Sequence, residues 1–206
     1  MALVKYNNNS ISDVTELAGV PAGAMTLIKE QTASSSATIS FVHGTSDVVL
    51  DSTYPIYLFK FINIHPATNN VSFQVNFRDG STAYDATKTT TFFRAYHNEG
   101  GTSTALEYRT SDDVAQGTGV QKLGGGLGND NDQCLAGYLH LFNPSSTTFV
   151  KHFLARTNLY EESDHTVENY IAGYCNVTAA IDGVQFSMSS GNIDAGTIKL
   201  YGIKDS

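Results

Sequence analysis

The sequence predicts an all-β protein: an antiparallel β-sandwich, jelly-roll-like in strand count, behind an extended N-terminal arm. Three observations predict it. Short apolar/polar alternations recur from residue 37 onward, turn chemistry interrupts them, and no helical period is sustained. Composition agrees: 41% of the residues are hydrophobic but only 16% are charged. Ser, Thr, Asn and Gly therefore supply the polarity, as in β proteins with solvated faces and many turns. At 206 residues the chain can bury roughly 70% of its unfolded surface, so it needs neither disulfide nor metal to fold.

Residues 1–36 read as the arm and 37–206 as the β-sandwich domain. The arm holds polar runs (Tyr6 to Ser10, Ser34 to Ser36), a turn or linker at Val20-Pro21-Ala22-Gly23 and a short strand candidate at Ala24 to Ile28. Beyond it, Thr38 to Val42 alternates, and "IYLFKFINI" (56–64) sets Tyr57, Phe59 and Phe61 on one face. The cleanest period-two run follows, with Val71, Phe73, Val75 and Phe77 inward and Ser72, Gln74 and Asn76 outward. Further strands are expected near 90–97, 104–109, 136–142, 147–157, 169–178, 181–189 and 197–203. Arg78 to Ser81, Asn98 to Gly101, Asn143 to Ser146 and Asp182-Gly183 separate them as turns. The stretch "GVQFSMSSGNIDAGTIKLYGI" (183–203) reads as a closing hairpin, with Gly191 and Gly196 as turn residues at positive φ.

Charge and motif content exclude several functions. A formal net charge of −8 without a Lys/Arg cluster argues against direct nucleic-acid binding. The first residues lack a basic segment followed by an apolar core, and no apolar run reaches the roughly 18 residues of a membrane span. A soluble protein made in a cytoplasm is expected. Cys134 and Cys175 lie outside metal-binding spacings and read as buried free thiols, although they are able to pair. Asn176-Val177-Thr178 is a glycosylation sequon only on a eukaryotic secretory route, which nothing here suggests.

Five features carry candidate chemistry. Gly117 to Gly128 is glycine-rich but has neither P-loop nor dinucleotide spacing, so a mobile or tightly folded loop is expected. After it, Asn129-Asp130-Asn131-Asp132 offers side-chain oxygens to a hard cation; Asp130 and Asp132 are weak calcium candidates, and Asp112-Asp113 lies upstream. His140 and His152, on adjacent expected strands, read as hydrogen-bonded structural residues rather than ligands; no metal or other cofactor is expected. Glu161, Glu162, Asp164 and His165 form a charged loop where an acid–base pair would sit, but one sequence cannot give the carboxylate separation that glycoside hydrolysis needs. For sugar binding there is no Trp; Tyr84, Tyr96, Tyr108 and Tyr160 lie near loops and are the candidate contacts, set against the simpler reading of strand-end packing.

The stretches Ala24 to Lys29, "LDSTYPIYLFKFINIHPATNNVSFQVNFRDGS" (50–81), "YIAGYCNV" (170–177) and 183–203 together resemble a family of small structural proteins of tailed bacteriophages, mostly marine ones and their relatives infecting cyanobacteria. The likeness runs from about residue 24 to 203. It implies a jelly-roll-like β-sandwich virion component that decorates the capsid or belongs to the tail or fibre, with no catalytic residues to carry over. The expectation is therefore a non-enzymatic homo-oligomer, a trimer by capsid and fibre analogy, whose arm packs on its own domain or a neighbour. Its expected place is the virion, beside other capsid or tail proteins. The alternative is a receptor- or carbohydrate-binding module for a host-surface glycan, acting through loops 110–133 and 160–168.

Overall fold

The computed structural model describes residues 24–204, and they form twelve strands and no helix. In chain order these are β1 (Met25–Thr32), β2 (Thr38–Val42), β3 (Ile56–Pro66), β4 (Val71–Arg78), β5 (Lys88–Asn98) and β6 (Thr104–Tyr108). There follow β7 (Gln121–Leu127), β8 (Leu135–Phe142), β9 (Lys151–Glu161), β10 (His165–Cys175), β11 (Gly183–Met188) and β12 (Ile193–Ile203). All pairings are antiparallel, in the order β1-β12-β3-β8-β9-β7-β4-β11-β2. The all-β antiparallel class is as expected, but the strands belong to one sheet that curls nearly into a barrel. Its two ends come close where Gln31 of β1 donates to the Ser40 carbonyl of β2 at 2.8 Å. At β9 the sheet forks. One Leu127–Glu161 pairing leads to β7, whereas β10 pairs along its whole length with β9 and with β5, which carries β6.

Period-two patterning places the core. Tyr57, Phe59 and Phe61 of β3 point inward, as do Val71, Phe73, Val75 and Phe77 of β4, all buried as expected. Phe186 of β11 is the hub of an aromatic cluster, with ring centroids 5.4 Å from Phe59, 5.2 Å from Phe61, 5.8 Å from Phe73 and 6.4 Å from Phe41. Edge-on and offset contacts at these separations let rings from opposite walls of the curled sheet interdigitate. Phe77 meets Phe153 of β9 at 4.9 Å, extending the seam.

Several expectations change. Residues 121–127, expected as part of a glycine loop, are the strand β7. The glycines are there because β9 lies against them: a Cβ on Gly124 would stand 2.6 Å from Leu159 Cδ2, and one on Gly126 would stand 2.8 Å from Glu161 Cγ. The closing hairpin is absent. β11 pairs with β2 and β4 while β12 pairs with β1 and β3, so residues 189–192 cross from one wall to the other. Gly191 and Gly196 do adopt positive φ (69° and 114°), but Gly196 lies within β12, not in a turn. Asn76, expected outward, is buried and donates to the Thr118 carbonyl at 3.1 Å. The end of the arm, residues 25–32, is the sheet strand β1; residues 1–23 lie outside the described residues.

Two buried lysines hold loops at one end of the sheet. Lys151 Nζ donates to the carbonyls of Ser146, Phe149 and Val177 (3.1, 3.3 and 2.7 Å), which uses all three ammonium protons. Lys88 Nζ donates to Gly119 O at 2.6 Å. Both flank Cys175 in register; neither cysteine is bridged, and burial pushes the Cys175 thiol up to about 12. Burial pulls Lys88 down to about 8. Below pH 8 both folded and unfolded chains hold this proton; between about pH 8 and 10 the unfolded chain holds more, so stability from this group rises with pH. In a Cys175→Ala background, which removes the neighbouring thiol, the stability of the Lys88 protein relative to Lys88→Met should increase from pH 8 to 10. Urea unfolding at several pH values measures it, and a flat difference would contradict the assignment.

Candidate functional site

Strand register divides the side chains of β1-β12-β3-β8-β9-β10-β5-β6 between the core and an outer face. Along β8 and β9 the outer set includes Tyr138 and His140 opposite Arg156 and Leu154; these continue through Tyr170 and Ala172 of β10 to Phe93 and Thr91 of β5. In the other direction they continue through Leu58 and Lys60 of β3 to Tyr201 and Lys199 of β12, then Leu27 and Glu30 of β1. This face carries Met25, Leu27, Ile62, Phe93, Tyr138 and Leu154, and its β6 margin adds Leu106 and Tyr108. Those are all the exposed large apolar side chains among the described residues except Val120 and Phe149. Singly exposed apolar residues are ordinary; a set gathered on one face marks an interaction surface.

A trough of about 600 Å³ runs along the middle of this face, walled by Ile56, Phe93, Tyr138, Phe142, Leu154 and Tyr170. Phe93 and Tyr170 stack nearly parallel (6°) with centroids 4.9 Å apart, about the spacing of neighbouring strands. Rings stacked along the strand-to-strand direction turn edges, not faces, to the outside. The Arg156 guanidinium lies 5.2 Å over the Tyr170 ring and also binds Glu168. His140 sits in the same trough, where burial lowers its pKa and favours the neutral imidazole.

A second, polar cleft of about 280 Å³ opens beside β7. The Asp112 carboxylate meets Lys122 Nζ at 2.6 Å and Arg109 Nε at 3.0 Å. Burial alone would raise its pKa, but the hydrogen bonds from Lys122 and Arg109 outweigh this and hold it low. Arg94 bonds Glu107 at 2.6 Å and approaches Glu161 at 3.6 Å, and the hydrogen bond from Arg94 lowers Glu107. The cleft thus joins segments 110–133 and 160–168 through Asp112, Lys122 and Glu161. Each charge in it faces an opposite charge of the same chain. That network orders the segments rather than poising a proton at neutral pH.

The other expected site residues are scattered. Asp130 and Asp132 lie in the loop before β8; the Asp130 carbonyl faces His65 Nε2 at 3.2 Å. No group of three or more His, Cys, Asp or Glu side chains suited to a metal occurs among the described residues. The four tyrosines do not converge. Tyr84 packs near Gly183 at one end, and Tyr96 sits edge-on to His165 beneath Arg94. Tyr108 donates to Asp113 at 2.6 Å, and Tyr160 donates to Asp164 at 3.2 Å. His140 lies opposite Leu154 while His152 meets the ring of Tyr174, so the two imidazoles engage different partners. Of the acidic loop, Glu161 enters the cleft, whereas Glu162 and Asp164 are exposed at the β9–β10 turn.

Sequence reasoning passed over Phe93, Tyr138, Leu154 and Tyr170. A signal for them existed: "TFFRAYHN", "FLARTNLY" and "IYLFKFINI" are apolar at both parities of a strand, which implies apolar cover on both sheet faces. Compared with known protein families, curated proteins and solved structures, the chain matches none.

Proposed function

We propose that this chain is a non-enzymatic structural subunit of a tailed-phage virion, decorating the capsid or forming part of the tail or fibre. In this reading the two walls of the curled sheet act as a jelly-roll-like sandwich whose outer face packs within an oligomer, a trimer in the particle. The observation that carries the assembly role is the gathering of exposed apolar side chains on the β1-to-β6 outer face. The virion context rests on the resemblance of residues 24–203 described above. Purified particles of the phage encoding this chain should contain it stoichiometrically, as measured by quantitative mass spectrometry of gradient-purified virions. Its absence from them would sink the reading.

A receptor- or glycan-binding module is the second reading, and the polar cleft favours it because hydrogen-bonding groups from both nominated segments line one hollow. Glycan-array retention that disappears in Arg94→Ala would support it; no retention at high protein concentration would dispose of it.

A further inference from the structure

We infer that the outer face of β1-β12-β3-β8-β9-β10-β5-β6 is closed by a second copy of this chain, with the Leu154 trough near the centre of the contact. The inference rests on the structural-subunit reading and names the partner of that face. Size is the first argument. Eight strands set about 4.8 Å apart give the curled face a contour of roughly 34 Å, and exposed apolar side chains from β1, β3, β5, β6, β8 and β9 lie along it, room for a partner on the scale of the roughly 800 Å² per side of a standard interface.

Charge is the second argument. The chain as a whole carries −8, which makes copies repel. On this face Lys60, Arg156 and Lys199 stand against Glu30 and Glu168, so it is close to neutral. The charges are already satisfied within one copy: Arg156 binds Glu168, Lys199 meets Glu30 at 2.8 Å, and Lys60 lies 5.3 Å over the Tyr201 ring. Such a surface requires no oppositely charged partner and brings little like charge together when any part of another copy's equally neutral face packs on it, whether the contact is isologous or heterologous.

Ring geometry is the third. Phe93 covers one face of Tyr170 and Arg156 the other, so Tyr170 offers no open face on which a sugar stacks. Edges and a trough suit interdigitating apolar side chains. A lipid interior is a poor occupant because the Arg156–Glu168 pair sits in the middle of the face.

The test is light scattering and sedimentation of the full chain at micromolar concentration. The variants are Leu154→Glu, at an exposed position within the face, and Val120→Glu, at an exposed apolar position away from it. Wild type and Val120→Glu should form the same oligomer. Leu154→Glu, folded by circular dichroism, should associate at least roughly tenfold more weakly. A monomeric wild type, or a Leu154→Glu protein that assembles as tightly as wild type, overturns the inference. Failure here is distinct from failure of the virion reading. A monomer found in purified particles overturns the self-contact alone, and an oligomer missing from particles overturns the virion role alone.

Discussion

Replacing Phe186 with alanine is expected to cost the fold about 3–5 kcal/mol. Phe186 is fully buried, and its ring meets four other phenylalanines drawn from both walls of the sheet. Truncation removes the ring from the apolar interior and leaves a void between β2, β3, β4 and β11. Those strands are held by backbone ladders, so they cannot collapse to fill it. Urea unfolding should show a lower midpoint with little change in slope. Phe186→Leu, which keeps most of the volume, should lose clearly less. Equal losses in the two variants would mean that ring packing does not hold the walls together.

Gly196→Ala should cost about 2–4 kcal/mol, from the combined penalties of forced backbone conformation and overpacking. Gly196 has φ 114°, a region closed to L side chains, and a Cβ there would stand 2.5 Å from the Asn63 carbonyl oxygen and 2.8 Å from Ile64 Cα. Both obstacles are backbone. They belong to the stretch where β12 and β3 slip register, and Asn63 itself has φ 50°. Two facing bulges approach closely there, and neither can retreat without breaking the ladders on either side. Gly191→Ala is the contrast: its Cβ would meet the Thr68 hydroxyl, a side chain that can rotate away, so a loss nearer 1 kcal/mol is expected. Thermal unfolding of both variants checks the order, and a milder effect at Gly196 than at Gly191 would contradict the bulge argument.

Much of the fold was legible because strand patterning is local. Val71 to Phe77 alternates without interruption, and all four residues it predicts inward are buried, although Asn76 of the outward parity is buried with them. β7 was not legible, since Gly124 to Gly126 carry no side chains from which a period can be read; their absence makes sense only beside Leu159 and Glu161. The candidate face was half legible. Doubled apolar parity in β3, β5 and β9 implies two-sided cover, but the sequence does not say that these strands and five others lie in one row. The polar cleft was less legible still, because Asp112 and Lys122 meet across ten residues of chain and Arg94 reaches Glu161 from another strand.

Local patterning along the chain is enough for the all-β class, the inward residues of the clean alternations and the turns at 78–81, 98–101 and 143–146. Each of these depends on neighbours a few residues apart. Which strands pair depends instead on contacts between residues far apart in the chain. Residues 183–203 contain two good strands and a short polar link, a pattern that fits a hairpin and a crossover equally well. Long-range burial settles it: Phe186 belongs to the ring cluster beside Phe41 and Phe73, and Ile198 and Leu200 belong against β3, so the link must carry the chain from one wall to the other.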